Sequence, residues 1–412
     1  VTEPPHEAEF RARVRAFLEA HCAPVDAPPP PGEPGSPARV AETRAFQRAL
    51  AAAGLAGLTY PPEQGGAGLT KRHQELFDAE AATFRLPTAI LTITLGMCLP
   101  MLARFGTPEQ QEAHLRRMIT GEDIWCQMFS EPGAGSDVAS LQTRAVRDGD
   151  EWVLDGQKVW TSGAHYSQFG LCLARTDPSV PKHQGISMFI VPTDAPGVEI
   201  RPLRQANGSA GFNEVFLTGA RIPAGNLVGE LHRGWQAAVA MLMYERSALG
   251  TGGSGPMTTS RFERLLGAAD AAGLRSDPVT RQALADLYSR EQIQRYVGLR
   301  IRAATAAGRD PGPAGSIAKL TATTIAHHAR DLAMRLRGAA GQAWDPADEE
   351  AEGWAFEAVG SMGLGIAGGT SEVQRSIVGE RVLGLPREPA VDRDIPFRDL
   401  LVGTQRRAAE SS

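Results

Sequence analysis

The 412-residue sequence predicts a mainly α-helical protein with one antiparallel β unit set into its middle. The prediction rests on the spacing of the apolar residues. They recur at helical intervals up to about Ile124, alternate from there to about Asn226, and return to helical intervals as far as about Leu385. Several short alternating runs with no helical pattern between them imply strands paired antiparallel rather than a βαβ arrangement.

In chain order, "EFRARVRAFLEAHC" places Phe10, Val14, Phe17 and Leu18 at helical spacing. "APPPPGEPGSPA" breaks the pattern, because its prolines cannot join a helix interior. In "RFGTPEQQEAHLRRM", Gly106 ends one helix, Thr107 caps the next, Pro108 takes its first turn and Gln110 is the capping-box partner of Thr107. "EWVLDGQKVWTSG", "FGLCLART", "GISMFIVPT", "GVEIRPL" and "NEVFLTGARIP" then read as five strands, with Asp155-Gly156 as a hairpin turn. Asp277 and Pro278 open a long helix, and a second runs from Ala314 to Arg337. The expected divisions are a helical domain at 1–123, a β domain at 124–228, a helical domain at 229–390 and a tail at 391–412.

The composition, 42% hydrophobic and 22% charged, is that of a globular chain. A formal charge of -5, from 47 acidic and 42 basic residues, gives no steering toward nucleic acid or an anionic membrane. The four cysteines, Cys22, Cys98, Cys126 and Cys172, lie far apart without a CxxC pair or a neighbouring histidine, so no metal site is expected. Reduced thiols, no apolar run of about 20 residues, and a start, "VTEPPHEAEF", without a basic and apolar leader lead us to expect a cytoplasmic protein.

Two segments carry the chemistry. "WCQMFSEPGAGSD" offers backbone amides around Gly135 and the Ser136 hydroxyl, which suit either an anion such as a pyrophosphate or an ordinary turn. "KVWTSGA" sets Trp160 beside Thr161 and Ser162; the ring is either a core aromatic or a wall for a flat redox cofactor. Two decoys fail on context. "GTGGSG" from Gly250 fits GxGxxG but follows a helical pattern and precedes Pro256. His327-His328 has no carboxylate or cysteine at ligand spacing.

Taken together, "SEPGAGSD", "GQKVWTSGA", "FNEVFLTGARIPAGNLVGE", "GWQAAVAML", "SIAKL" and "GIAGGTSEVQRSIVGERVLGLPRE" resemble the acyl-CoA dehydrogenase family over most of the chain. The resemblance implies an N-terminal helical domain, a middle β-barrel-like domain and a C-terminal four-helix bundle, with FAD between the last two. It implies that Gln127, Phe129 and Ser130 line the flavin ring, that Gly135 and Ser136 meet the pyrophosphate, and that Trp160 and Ser162 stand against the ring. Thr370 would reach the cofactor from the start of the last helix, unless it is only the cap of that helix. The substrate would be an acyl-CoA, or an acyl group on a carrier protein. The electron acceptor would be an electron-transfer flavoprotein.

Many relatives carry a glutamate, the base that takes the α-proton, two residues before that threonine; this chain has Gly368 there. Members resembling isovaleryl-CoA dehydrogenase carry the glutamate on an earlier helix in a Glu-Arg pair, which matches Glu245-Arg246 in "LMYERSALG". Glu245 is therefore the expected base, Arg246 and Gly368 are the expected substrate contacts, and the space left at Gly368 suggests a branched or bulky acyl group. The alternative for Glu245 is a plain ion pair. The family's Arg-x-x-Phe-Gly motif is not evident in "RFERLLGAADAAGLRSDPVTRQ", and Arg335 stands where a glutamine is common. A homodimer or homotetramer is the family's usual assembly, and these departures leave a hetero-oligomer open. Two other activities on the same scaffold also stay open: a flavin oxidase or oxygenase, and a non-catalytic subunit that completes a partner's FAD site.

Overall fold

The computed structural model describes residues 4–25, 27, 30, 33–250, 260–307, 313–343, 351–390 and 392–400. The chain begins with α1 (Pro5–His21), which turns Phe10, Val14 and Leu18 inward. β1 (Ala23–Pro24), α2 (Pro37–Ala52), α3 (Lys71–Ala81) and β2 (Phe84–Arg85) follow, and β1 pairs antiparallel with β2. A π-helical turn, Thr94–Cys98, leads into α4 (Leu99–Phe105) and α5 (Pro108–Ile119). The start of α5 is the expected capping box. Thr107 Oγ1 accepts from Gln110 N at 3.3 Å, and Gln110 Oε1 accepts from Thr107 N at 3.1 Å.

The middle of the chain is an eight-stranded, predominantly antiparallel sheet. Its strands are β3 (Trp125–Met128), β4 (Arg144–Asp148), β5 (Glu151–Ser162), β6 (Phe169–Arg175), β7 (Ile186–Pro192), β8 (Val198–Leu203), β9 (Phe212–Pro223) and β10 (Leu227–Val228). The spatial order is β10-β7-β6-β4-β5-β9-β8, with β3 lying parallel to β6.

Asp155-Gly156 is not a hairpin turn. β5 runs through it unbroken, and the chain reverses at Gly149-Asp150 instead. Gly156 sits at a bulge opposite β9, where a Cβ would lie 2.3 Å from Thr143 Oγ1. The glycine serves a close approach of two backbones rather than a reversal.

The C-terminal part comprises α6 (Gly234–Gly250), α7 (Arg261–Ala271), α8 (Pro278–Ala306), α9 (Ala314–Leu336), α10 (Ala351–Gly360) and α11 (Ser371–Arg381). α8 begins as expected, with Thr280 N donating to Asp277 Oδ2 at 2.8 Å. α9 is the central helix, packed by α6, α7, α8 and α11. It buries Ile325, Ala329, Leu332, Ala333 and Leu336 against Leu265, Leu284 and Leu287. Residues 392–400 turn back onto the loop between β6 and β7, where Phe397 N donates to Val180 O at 2.9 Å. Among the described residues no helix is long and apolar enough to cross a membrane. The decoy glycines after Gly250 lie outside the described residues.

Candidate active site

The sheet gathers one group of predicted residues at a single end. β3 carries Gln127, half-buried, and leads into Phe129, buried, and Ser130, half-buried. β5 returns beside them, since Val159 N donates to Ser130 O at 2.9 Å. Beyond that bond the register of β5 against β9 slips between Lys158 and Thr161. Trp160 occupies the slip with φ +58, a conformation that costs a non-glycine residue about 1–3 kcal/mol. Its ring is 59% exposed and meets Phe212 edge-on at 5.8 Å. Trp160 is therefore no core aromatic; strain is spent on presenting its ring. Thr161 Oγ1, next along, is buried without a hydrogen-bond partner among the described residues, and Ser162 pairs with Phe212 across the strands.

A charge pair under this surface was not read from the sequence. Lys158, fully buried, donates from Nζ to Glu131 Oε1 at 2.8 Å and to Phe129 O at 3.2 Å. Glu131 accepts in turn from Gln142 N at 2.6 Å and Thr143 N at 3.0 Å. Burial alone raises the Glu131 pKa, but Lys158 and these amides outweigh it and hold the carboxyl below its usual value. The signal was a lone lysine at an inward position of an alternating strand, which demands a partner.

The pair clamps the loop from Glu131 to Leu141. Gly135 and Ser136 stand exposed on it, with open space where a Gly135 Cβ would lie. Among the described residues, the amides of Gly135, Ser136 and Asp137 donate to no protein acceptor. The carboxylate beside them, Asp137, is paired with Lys182 at 2.8 Å. The loop presents free donors with its own negative charge neutralised, which suits an anion.

The second group lies in the bundle. Gly368 and Gly369 have φ of +67 and +90, so both sit in the left-handed region that favours glycine. Any L-residue at 368, a glutamate included, is disfavoured there by the backbone itself. Lys319 Nζ holds Gly369 O at 2.8 Å, and Gln374 Nε2 holds Gly368 O at 2.9 Å. Thr323 Oγ1 donates to Leu364 O at 3.0 Å, and His327 Nε2 lies 3.1 Å from Ser361 O. Lys319, Thr323 and His327 thus form one ridge of α9 that grips the loop ahead of Thr370. His328 pairs instead with Asp286 at 3.3 Å, and no metal-binding cluster occurs among the described residues. Lys319→Met is expected to free this loop and lower kcat by about tenfold or more with little change in KM, as a carbonyl loses its buried donor. Steady-state kinetics beside a melting curve check this, and unchanged kcat sinks it.

Thr370 caps α11, accepting from Val373 N at 3.2 Å. The Gly368 amide has no protein acceptor among the described residues. A cavity of about 890 Å³ opens between the β8–β9 connection and the bundle, and none of the predicted cofactor residues is among its lining. Phe212, Asn207 and Gln205 line it on the sheet side, with Leu364 and Ala367 on the Gly368 loop. Glu245 and Arg246 lie on α6, which packs against α9, β7 and the π-helical turn; their side chains fall outside the described residues.

Comparison with known proteins decides what this arrangement is. Residues 4–122, 126–219 and 232–383 match the N-terminal, middle and C-terminal domains of acyl-CoA dehydrogenases. The chain belongs to the acyl-CoA dehydrogenase family. It is 39% identical over 388 residues to the acyl-CoA dehydrogenase IpdE1 of Mycobacterium tuberculosis, covering 92% of this chain and 98% of that one. Among solved structures, the Tcur3481-Tcur3483 steroid ACAD matches at 30% identity with a TM-score of 0.76, covering 94% of this chain and 99% of that one. The ChsE4-ChsE5 complex from Mycobacterium tuberculosis matches at 29% identity with a TM-score of 0.74, covering 94% and 100%.

An acyl-CoA dehydrogenase is an oxidoreductase with FAD as cofactor. The residues present fit that group: free amides at 135–137 for the pyrophosphate, an exposed Trp160 face for the ring, an orphaned Thr161 hydroxyl, and the N-terminus of α11 behind Thr370.

Proposed function

We propose that this acyl-CoA dehydrogenase desaturates a CoA thioester whose acyl part is branched or built of rings, with Glu245 as the base. The observation that carries the reading is the left-handed Gly368: the position that bears the carboxylate in many relatives has a backbone suited to glycine. It leaves room beside the cavity and moves the proton-accepting role elsewhere. The likeness to a protein described as a steroid ACAD supports fused rings as the bulky group.

In this reading Glu245 removes the α-proton, and the β-hydrogen departs with its electron pair, leaving a 2,3-enoyl thioester. FAD, when bound, supplies the two-electron acceptor. Gln127, Phe129, Ser130, Trp160 and Ser162 line its ring, while Gly135, Ser136 and Thr370 hold its polar parts. The free Gly368 amide donates to the thioester oxygen as negative charge develops there, and Arg246 holds the CoA side. We further propose an electron-transfer flavoprotein as the acceptor of the electrons. A homologous second chain completes the assembly, as supported by the likeness to the ChsE4-ChsE5 complex and by the missing Arg-x-x-Phe-Gly motif. The free thiols suit a reducing cytoplasm.

The test is anaerobic titration with straight, branched and fused-ring acyl-CoAs while flavin absorbance is followed. Bleaching by a branched or fused-ring thioester, at rates about tenfold or more above a medium straight chain, is expected from the pocket's shape. Faster bleaching by the straight chain overturns the substrate assignment.

A further inference from the structure

The segment Asp392–Leu400 is docked against the β6–β7 loop, and two basic residues beside that dock, Arg175 and Lys182, reach on to the loop that carries Gly135 and Ser136. Besides the bond from Phe397 N, Arg398 N donates to Pro178 O at 3.0 Å and Pro396 bridges to Pro181. The Phe397 ring lies under the Arg175 guanidinium, 3.6 Å from its carbon to the ring centroid. Arg175 is buried and pairs with no carboxylate among the described residues. Its terminal nitrogens donate to Ala139 O at 2.6 Å, Leu141 O at 3.2 Å and Lys182 O at 2.6 Å. Burial pushes its pKa down to about 10.

Lys182 is the second link. Its Nζ bridges Asp392 Oδ2 at 2.7 Å and Asp137 Oδ2 at 2.8 Å. Asp137 also accepts from Ser140 Oγ at 2.5 Å, so both ends of the Asp137–Leu141 turn are held.

We propose that Asp392–Leu400 is a positioning strap for the cofactor loop, acting through Arg175 and Lys182 to hold Gly135–Leu141 in the form that receives the FAD pyrophosphate. The Phe397 ring keeps water from the guanidinium, so that its hydrogen bonds go to two carbonyls of the turn, Ala139 and Leu141, and to Lys182 O beside it. Asp392 keeps the Lys182 ammonium against Asp137, so that the free amides face no unpaired carboxylate. The proposal rests on the reading of Gly135 and Ser136 as the pyrophosphate site. Asp392 itself carries a negative charge whose removal favours an anion nearby, so Phe397 is the cleaner position to vary.

The experiment compares the 412-residue protein with its Phe397→Ala and Phe397→Trp variants. Hydrogen exchange is followed in the FAD-free proteins, and FAD affinity is measured by quenching of flavin fluorescence. Phe397→Ala is expected to speed exchange at Ala139–Thr143 and to raise the FAD Kd by about tenfold, the scale of losing a desolvated cation–π contact. Exchange in β7 stays as it was, and Phe397→Trp restores both values. Unchanged exchange at Ala139–Thr143, or faster exchange throughout the sheet, overturns the strap. Faster local exchange with an unchanged Kd also overturns it, and Ser136→Trp then locates the fault. If that variant binds FAD normally, the loop is not the pyrophosphate site; if it loses FAD, the loop reading stands and the strap alone fails.

Discussion

Glu245→Gln is expected to leave FAD bound while slowing flavin reduction by the best thioester about 10²–10⁴-fold, the range of a lost general base. The amide keeps the shape and hydrogen bonding of the carboxyl but accepts no proton at neutral pH. A carboxylate accepts a proton only when ionised, so the wild-type rate of flavin reduction is expected to rise with pH through the ionisation of that base, and the variant to lose this limb. Adding Gly368→Glu to Glu245→Gln is expected to recover little, because φ +67 resists a side chain there. Full reduction in the single variant, or full recovery in the double, removes Glu245 from its role.

Lys158→Met carries the second large effect. It strands Glu131 in a site where each carboxylate oxygen already accepts a backbone amide. Removing one partner of a buried pair costs about 3–5 kcal/mol, read here as a lower urea midpoint at neutral pH. The pH dependence gives a sharper test. In the wild type the folded Glu131 pKa lies below the model-peptide value of 4.5, so its stabilisation is present above 4.5 and lost as pH falls through the depressed folded value. In Lys158→Met the cation is gone and burial is less opposed, so the folded pKa is expected to rise, and acidification from neutrality then protonates Glu131 and relieves the variant. The wild-type contribution is thus expected to stay level down to 4.5 and to fall below it, whereas the variant gains stability on the way down. Parallel curves contradict the assignment. Glu131→Gln in the Lys158→Met background restores part of the loss by removing the stranded charge.

What the sequence made legible were features settled by neighbours along the chain. The Thr107 and Gln110 box and the Asp277 cap involve residues three apart, and both stand as expected. Asp155-Gly156 has the local look of a turn, yet its use is dictated by Thr143, just ahead of β4. Lys158 and Lys319 escaped notice for the same reason: their partners lie 27 and 50 residues away. Trp160 stayed ambiguous because a strand pattern does not reveal a register slip, and the slip is what turns the ring outward. The loss of a carboxylate at Gly368 was visible at once, whereas its backbone reason, a left-handed φ, required the fold.

The parallel seam between β3 and β6 also has a bearing on how the protein is made. Trp125–Met128 leaves the ribosome well before its mate Phe169–Cys172, with the β4–β5 hairpin between them. Such a pairing closes a loop of about 40 residues, an entropic charge that local hairpins escape. The nascent chain therefore holds Gln127 on a strand without its ladder partner until β6 has emerged, although Ser130, just past that strand, already meets Val159 of β5. An arrested or truncated chain ending before Phe169 thus has a helical start but lacks the seam that fixes β3 in the sheet.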